Sequence, residues 1–473
     1  MRFSPSRSLT RALLFAAAIS ASALADNWTN LGGNHDRNGR TNEIGPDAAT
    51  PLWSGGRSSI IAWAPMNDGN RVFMVRQTGF PPGGEPNGSP VVAMNLTTGG
   101  ELWHFDVPYD PNDWTTWIAG ARDGHVYASR SGNGASVSAK MYAIDQVTGG
   151  IAWVSVDKTA AGAYDGVVFA DNGDLIVADF RNIRRIRASD GTTAWTTARV
   201  GSVSGDCGAA VHGDAVYIAD AVVGGNAIKR DNINTGAFQY QSPVLTGFTI
   251  QNTPFVGADG TVYLARVQNN VSTDFFYAIN DDGSAMTIRW SKPAAYSYAS
   301  EGGTGPDGSV YMWAPGNFIE RRAAADGALL NITEAPVVFD FPAAPHITTD
   351  ALGRVYFSNG GFSHGAVTVY NADLTSRYTI NVTNINQGGP AIGANGVLVV
   401  AGVGTDVRAY RNPPSCPGDL NGDHAIDLTD LAELLSNYGL TGATPADGDL
   451  NGDTLVDLTD LAQLLSLYGT FCP

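Results

Sequence analysis

The chain has 473 residues and a formal net charge of −17, yet only 15% of its residues are charged and 57 are glycine. That mixture excludes a helical bundle and a nucleic-acid-binding surface, and it fits many short strands joined by tight turns. The length suits a repeat-built β domain with a small second domain.

Residues 1–25 carry Arg2, Arg7 and Arg11, an apolar run from Ala12 to Ala21, and then Ala23-Leu24-Ala25. This is the three-part layout of a secretory signal peptide cleaved after Ala25, and the apolar run is too short to span a bilayer. A secreted or extracellular protein is expected, at the cell surface or in a periplasm, with no membrane span after cleavage.

From Asn67 to Asn395 one phrase recurs eight times: a glycine turn, Asp-Gly or Asn-Gly in six copies and His-Gly or Leu-Gly in two, followed by alternating apolar and aromatic residues, as in "DGHVYAS", "DGTVYLA" and "DGSVYMW". The turn glycines Gly69, Gly124, Gly173, Gly213, Gly260, Gly308, Gly353 and Gly396 are spaced by about 47 residues on average, the mark of a repeat protein. Several copies continue with a second alternating run and a Gly turn leading to an aromatic, such as "TTGGELWHF". Two hairpins per copy make a four-stranded propeller blade.

The eighth copy lacks its closing strand, and an orphan strand "ATPLWSG" near the N-terminus supplies Trp53 in its place. Pairing the two would close the ring. Eight blades are predicted, with seven as the fallback.

Residues 26–411, through the "DGxVY" and "TGxxxW" phrases and the opening "NWTNLGGNHDRNGRT", resemble the PQQ-like β-propellers, which include quinoprotein dehydrogenases and an outer-membrane assembly lipoprotein. The resemblance implies fold rather than function, with tryptophans packing blade on blade. The adjacent-cysteine pair of the dehydrogenases is missing because Cys207 stands alone, so PQQ is not expected as a cofactor. Counting back from the turn glycines gives Asp165, Asp206, Asn252, Glu301, His346 and Gln387 as a polar ring near one end of the channel. Asp206 and Glu301 are the pair named for acid–base catalysis, should the propeller be a polysaccharide-degrading glycosidase or lyase.

Residues 412–418 form a linker, and 419–473 hold a duplicated segment, "GDLNGDHAIDLTDLAELLSNYG" and "GDLNGDTLVDLTDLAQLLSLYG". From Cys416 onward there are ten Asp or Glu and no Lys or Arg, which points to a cation as partner. Oxygen-bearing side chains fall at loop positions 1, 3, 5, 9 and 12: Asp419, Asn421, Asp423, Asp427 and Asp430, then Asp449, Asn451, Asp453, Asp457 and Asp460. Ala425 and Leu455 stand at position 7, where an EF-hand-like loop offers a backbone carbonyl. This spacing suits two Ca²⁺ ions. Leu431, Leu434, Leu435 and Tyr438, repeated as Leu461, Leu464, Leu465 and Tyr468, predict two helices burying one small core, stopped at Gly439 and Gly469. Cys416 and Cys472 bracket the segment, and a disulfide between them would staple it.

The tail resembles type I dockerin domains. That resemblance implies a cohesin-like partner on a scaffold or cell-surface protein, with Leu428, Thr429, Leu458 and Thr459 at the partner-binding positions. Position 6, often glycine in such loops, is His424 or Thr454, and basic residues common on the recognition helix are absent. The preferred reading is a secreted, non-catalytic propeller that binds a polysaccharide or protein ligand and is carried by a calcium-dependent dockerin. A carbohydrate-active enzyme in polysaccharide catabolism is the alternative, and a PQQ-dependent dehydrogenase ranks third.

Overall fold

An Asp-Gly or Asn-Gly pair turns a strand back on itself because glycine accepts the positive φ of a tight hairpin. The computed structural model describes residues 27–473 except 79–87, 89, 109–112, 133–138, 160–166, 180, 200–207, 247–252, 267–274, 296–301, 338–345, 360–364, 386–387, 413–415, 421–424, 444 and 472–473. All eight repeated glycines have positive φ, from 56° to 86°. Each lies between the first and second strands of an antiparallel sheet.

Eight such sheets follow in order. Blades 1 to 7 span residues 61–105, 113–158, 168–198, 209–241, 255–293, 303–332 and 346–381, and blade 8 takes 391–410. Pro51–Ser54 supplies the fourth strand of blade 8, with Trp53 opposite Ala409 and Ser54 opposite Arg408. The fold is an eight-bladed propeller closed by its own N-terminal strand; the seven-bladed fallback drops out. Second strands such as Val310–Ala314 and Val397–Ala401 are buried along their whole length, because a neighbouring blade covers each face. Among the described residues no helix is long and apolar enough to cross a membrane.

The seams between blades repeat one contact. The indole of Trp53, Trp103, Trp153, Trp195 and Trp290, each on a fourth strand, donates to a carbonyl of the next blade: Leu96, Gln146, Ala188, Ile233 and Ala324, at 2.8–3.0 Å. Beneath each ring lies a turn glycine, respectively Gly99, Gly149, Gly191, Gly236 and Gly327. Each has φ near 70°, and a Cβ there would come within 2.5–2.8 Å of the indole.

Blade 4 substitutes Tyr240, whose hydroxyl reaches Asp281 of blade 5 at 2.7 Å. Blade 6 breaks the rule. Asn331, four residues after Gly327 as Trp103 is after Gly99, takes the tryptophan position and accepts from Arg321. The matching turn of blade 7 carries Leu374 instead of glycine, at φ 67°. Its side chain is buried in a cluster with Tyr311 and Ile319 of blade 6. An exposed seam without its indole would hold a void, and the leucine occupies it despite an unfavourable backbone.

The opening motif forms a plug. Residues 28–43 coil on themselves through Thr29–Gly33, Asn30–Gly33 and Gly32–Gly39 backbone bonds. Their carbonyls then accept from the innermost strands of six blades: Trp28 from Asn67, Thr29 from Ala121, His35 from Val211, Asp36 from Val256, Asn38 from Thr304 and Gly39 from Thr349. Trp28, Asn30, Arg37 and Asn38 are buried, and Arg37 Nε donates to Ala209 O at 2.7 Å. Each of the six backbone contacts lies within one residue of the end of a first strand that meets its turn glycine, so the plug closes that mouth of the channel.

After blade 8 come two helices, α1 (Leu428–Ser436) and α2 (Leu458–Leu467). A short 3-10 turn, Pro445–Asp447, precedes the second loop.

Two expectations follow. Asn331→Trp alone should destabilise by about 1–3 kcal/mol through overpacking against Leu374. Combined with Leu374→Gly it should recover, giving a favourable coupling of about 1 kcal/mol or more in a double-mutant cycle of denaturant unfolding. The second concerns the plug. His212 Nδ1 lies 2.9 Å from Asp36, and this bond raises the imidazole above its ordinary 6.5 against partial burial, which lowers it. The contribution is therefore complete below pH 6.5 and lost as pH rises through the raised value. The difference in melting temperature between the natural chain and His212→Gln should shrink across that rise.

Candidate metal centre

Asp427 and Asp457 are helix N-caps, and Asp430 and Asp460 complete reciprocal capping boxes, so the repeated Asp-Leu-Thr-Asp both starts each helix and closes each loop. Asp430 is buried; its Oδ1 accepts from Leu420 N at 2.7 Å and its Oδ2 from Asp427 N at 2.9 Å. Asp460 repeats this with Leu450 N at 2.9 Å and Asp457 N at 2.8 Å. Hydrogen bonds from the Thr429 hydroxyl and amide hold Asp427 below the ordinary carboxylate range. These aspartates, expected from their spacing as metal ligands, thus also cap helices, a role signalled by the Asp-x-x-Asp spacing before an apolar run.

In the second loop Asp449 Oδ1 accepts from Gly452 N and Asp453 N, and Oδ2 from Thr454 N at 2.9 Å. Thr454 has φ 70°, so position 6 keeps its left-handed backbone without glycine. Asp449, Asp453 and Asp460 each present a carboxylate oxygen within 4.8 Å of the others, with Asp449 and Asp460 buried and Asp453 exposed. Asn451 joins them by donating to Asp453 at 3.1 Å. Three carboxylates this close repel unless a cation or protons intervene, and an all-oxygen set suits a hard ion such as Ca²⁺. The residues present thus fit that metal. In the first loop Asn421, Asp423 and His424 lie outside the described residues, while Asp419, Ala425, Asp427 and Asp430 lie within them.

The two units are interlocked. Ile426 N donates to Thr470 O and Gly469 N to Ile426 O; Val456 N donates to Leu440 O and Gly439 N to Val456 O. Ala425 bridges Phe471, and Thr441 bridges Leu455. Each loop therefore pairs with the residues following the other unit's helix, and Gly439 and Gly469 stop the helices with φ above 80°.

The core holds Ile426, Leu434, Val456 and Leu464, with Leu431 and Leu461 packed against it. The expected burial needs correction for Leu435, Tyr438, Leu465 and Tyr468, which are 45–52% exposed, and Leu428 and Leu458 are each 67% exposed. Leu428 and Leu435, seven residues apart, share one helix face with the same solvent exposure as Leu458 and Leu465. Thr429 and Thr459 donate backward to Asp427 and Asp457. Cys416 is disulfide-bonded, and Cys472 lies outside the described residues.

Of the propeller ring, Asp165, Asp206, Asn252, Glu301 and Gln387 lie outside the described residues, and so does Cys207. His346 is buried. It lines a cavity of about 10 Å³ with Trp28, Leu31 and Pro390, space for about one water, so this member faces the plug rather than solvent.

Comparison with known proteins follows the fold. A crystal structure of BamB from Moraxella catarrhalis is 15% identical, with a TM-score of 0.54 over 77% of this chain and 100% of that one. A europium-containing methanol dehydrogenase gives 0.57 at 11% identity, covering 80% and 90%. Quinohemoprotein alcohol dehydrogenase from Comamonas testosteroni gives 0.53 at 12%, covering 88% and 87%. At these identities the likeness is one of fold. No curated protein matches the chain. Residues 87–330, just over half the chain, match the family described as outer membrane protein assembly factor BamB, and the chain belongs to that PQQ-like propeller family.

Proposed function

We propose that residues 419–473 are a calcium-dependent docking module of dockerin type that attaches the propeller to a cohesin-like module, and that the propeller is a non-catalytic platform for a polysaccharide or protein ligand. The observation that carries the reading is the convergence of Asp449, Asp453 and Asp460 within 4.8 Å, in one of two loops written with the same ligand spacing. The family's description as an outer membrane protein assembly factor supports protein interaction as the propeller's role. An exported location, outside the cell or in a periplasm, agrees with the leader-like first 25 residues.

When bound, Ca²⁺ would neutralise the crowded loop carboxylates and replace their mutual repulsion with attraction. Asp460 and Asp430 hold loop and helix in register by accepting from backbone N–H groups. Asp453 has a different part. It is exposed, and among the described residues its hydrogen bonds stay within its own loop, so its principal effect is on the cation.

The paired outer faces explain the duplication. Leu428, Leu435 and Tyr438 on one unit have their counterparts in Leu458, Leu465 and Tyr468 on the other, so either helix could present the same apolar surface to a partner.

Calorimetric titration of Ca²⁺ into the full chain should show two sites. Asp453→Ala should weaken one by roughly tenfold or more, about 1.4 kcal/mol, without loss of helicity. Asp460→Ala should remove that site and also destabilise the tail by about 1–3 kcal/mol, because buried amides lose their acceptor. No heat on titration would end the calcium reading. For the partner, Leu435→Glu or Leu465→Glu alone should leave binding to a purified type I cohesin largely intact, whereas the pair of changes should abolish it. Equal loss from either single change would contradict the twofold use of the helices.

A further inference from the structure

The direction of every strand fixes which face of the propeller each connection occupies. First strands run toward the plugged mouth, where their turn glycines lie, and third strands run the same way. Val407–Tyr410 is the third strand of blade 8, so the chain leaves the propeller on the plugged face. Asn412 is fastened there: its Oδ1 accepts from Asp47 N at 2.6 Å and its Nδ2 donates to Gly45 O at 3.0 Å. Cys416 already packs on the core of the tail. Only Pro413, Pro414 and Ser415 separate the two anchors.

Four residue steps from Asn412 to Cys416 reach at most about 14 Å when fully extended. The eight-residue strands Ile151–Lys158 and Ala215–Val222 rise about 26 Å, a measure of the height of a blade. The tether is thus too short to carry the start of the tail from one face to the other.

We infer that the tail is displayed on the plugged face of the propeller, so that whatever it docks to lies on that side. Among the described residues, that face of the propeller carries the Trp28–Glu43 coil and the turns between first and second strands. The part of this inference that concerns a docking partner rests on the function proposed above; the placement of the tail does not.

Its test measures distances within the full chain. Spin labels on ketone-bearing amino acids, which leave the cysteines intact, are placed at Ala432 of α1 and at either Ala49 or Thr405. Ala49 precedes the fourth strand of blade 8 on the plugged face, and Thr405 lies in its turn on the other face; all three positions are exposed. The 432–49 distance should be shorter than the 432–405 distance by roughly 10 Å or more, on the order of the rise of a short strand. The ordering should be the same with Ca²⁺ or with chelator. Equal distances, or the reverse order, would overturn the inference. A correct ordering in a chain that shows no calorimetric Ca²⁺ binding would instead leave the tail's placement standing and remove the docking function.

Discussion

An indole lying on a glycine is the contact on which the propeller depends. The ring needs a neighbour without a Cβ, and the tight turn needs a residue that accepts positive φ, so a single glycine meets both demands. Because the nitrogen of the same ring donates to the next blade, each seam fixes the angle between two sheets as well as their distance. Where the indole is lost, as at Asn331, the glycine is no longer required, and Leu374 takes the space at the expense of backbone comfort. The exception shows that the seam selects for filled volume, with the indole as its usual means.

Ring closure and channel closure come from one N-terminal stretch. Trp28 to Glu43 coils inside the ring and bonds to inner strands; Pro51–Ser54 then crosses to the outer edge of blade 8. Asn412 and Arg354 hold the passage between them through Gly45 and Asp47. The first and last parts of the propeller are thereby tied, and the circle cannot open at its joint without also disturbing the plug. The plugged face is thereby sealed by backbone hydrogen bonds.

The tail reuses its acids in the same economical way. Asp430 and Asp460 are buried, accept loop amides and complete the helix capping boxes. The hydrogen bonds that orient these two carboxylates are the same ones that close each loop onto its helix, while Asp453 stays exposed at the loop surface. The interlocked pairing of each loop with the end of the other unit binds the two halves into one small core, helped by the disulfide at Cys416.

The sequence by itself determined the number of blades, the partner strand that closes the ring, the positions of the seam tryptophans and the doubled acidic loops. All of these are written in short stretches, where turn chemistry and a period of two or 3.6 residues act between near neighbours. The acids of the candidate centre were legible for the same reason, though their capping role was read past. Only the tertiary structure decided that the opening motif is a plug, that His346 faces it, that Leu374 replaces an indole, and that Leu435 and Leu465 face outward while Leu434 and Leu464 do not. Those outcomes rest on contacts between residues far apart in the chain, such as Arg37 with Ala209, or on which side of a helix a second unit happens to cover. No local pattern carries that information, because burial is a property of what lies opposite.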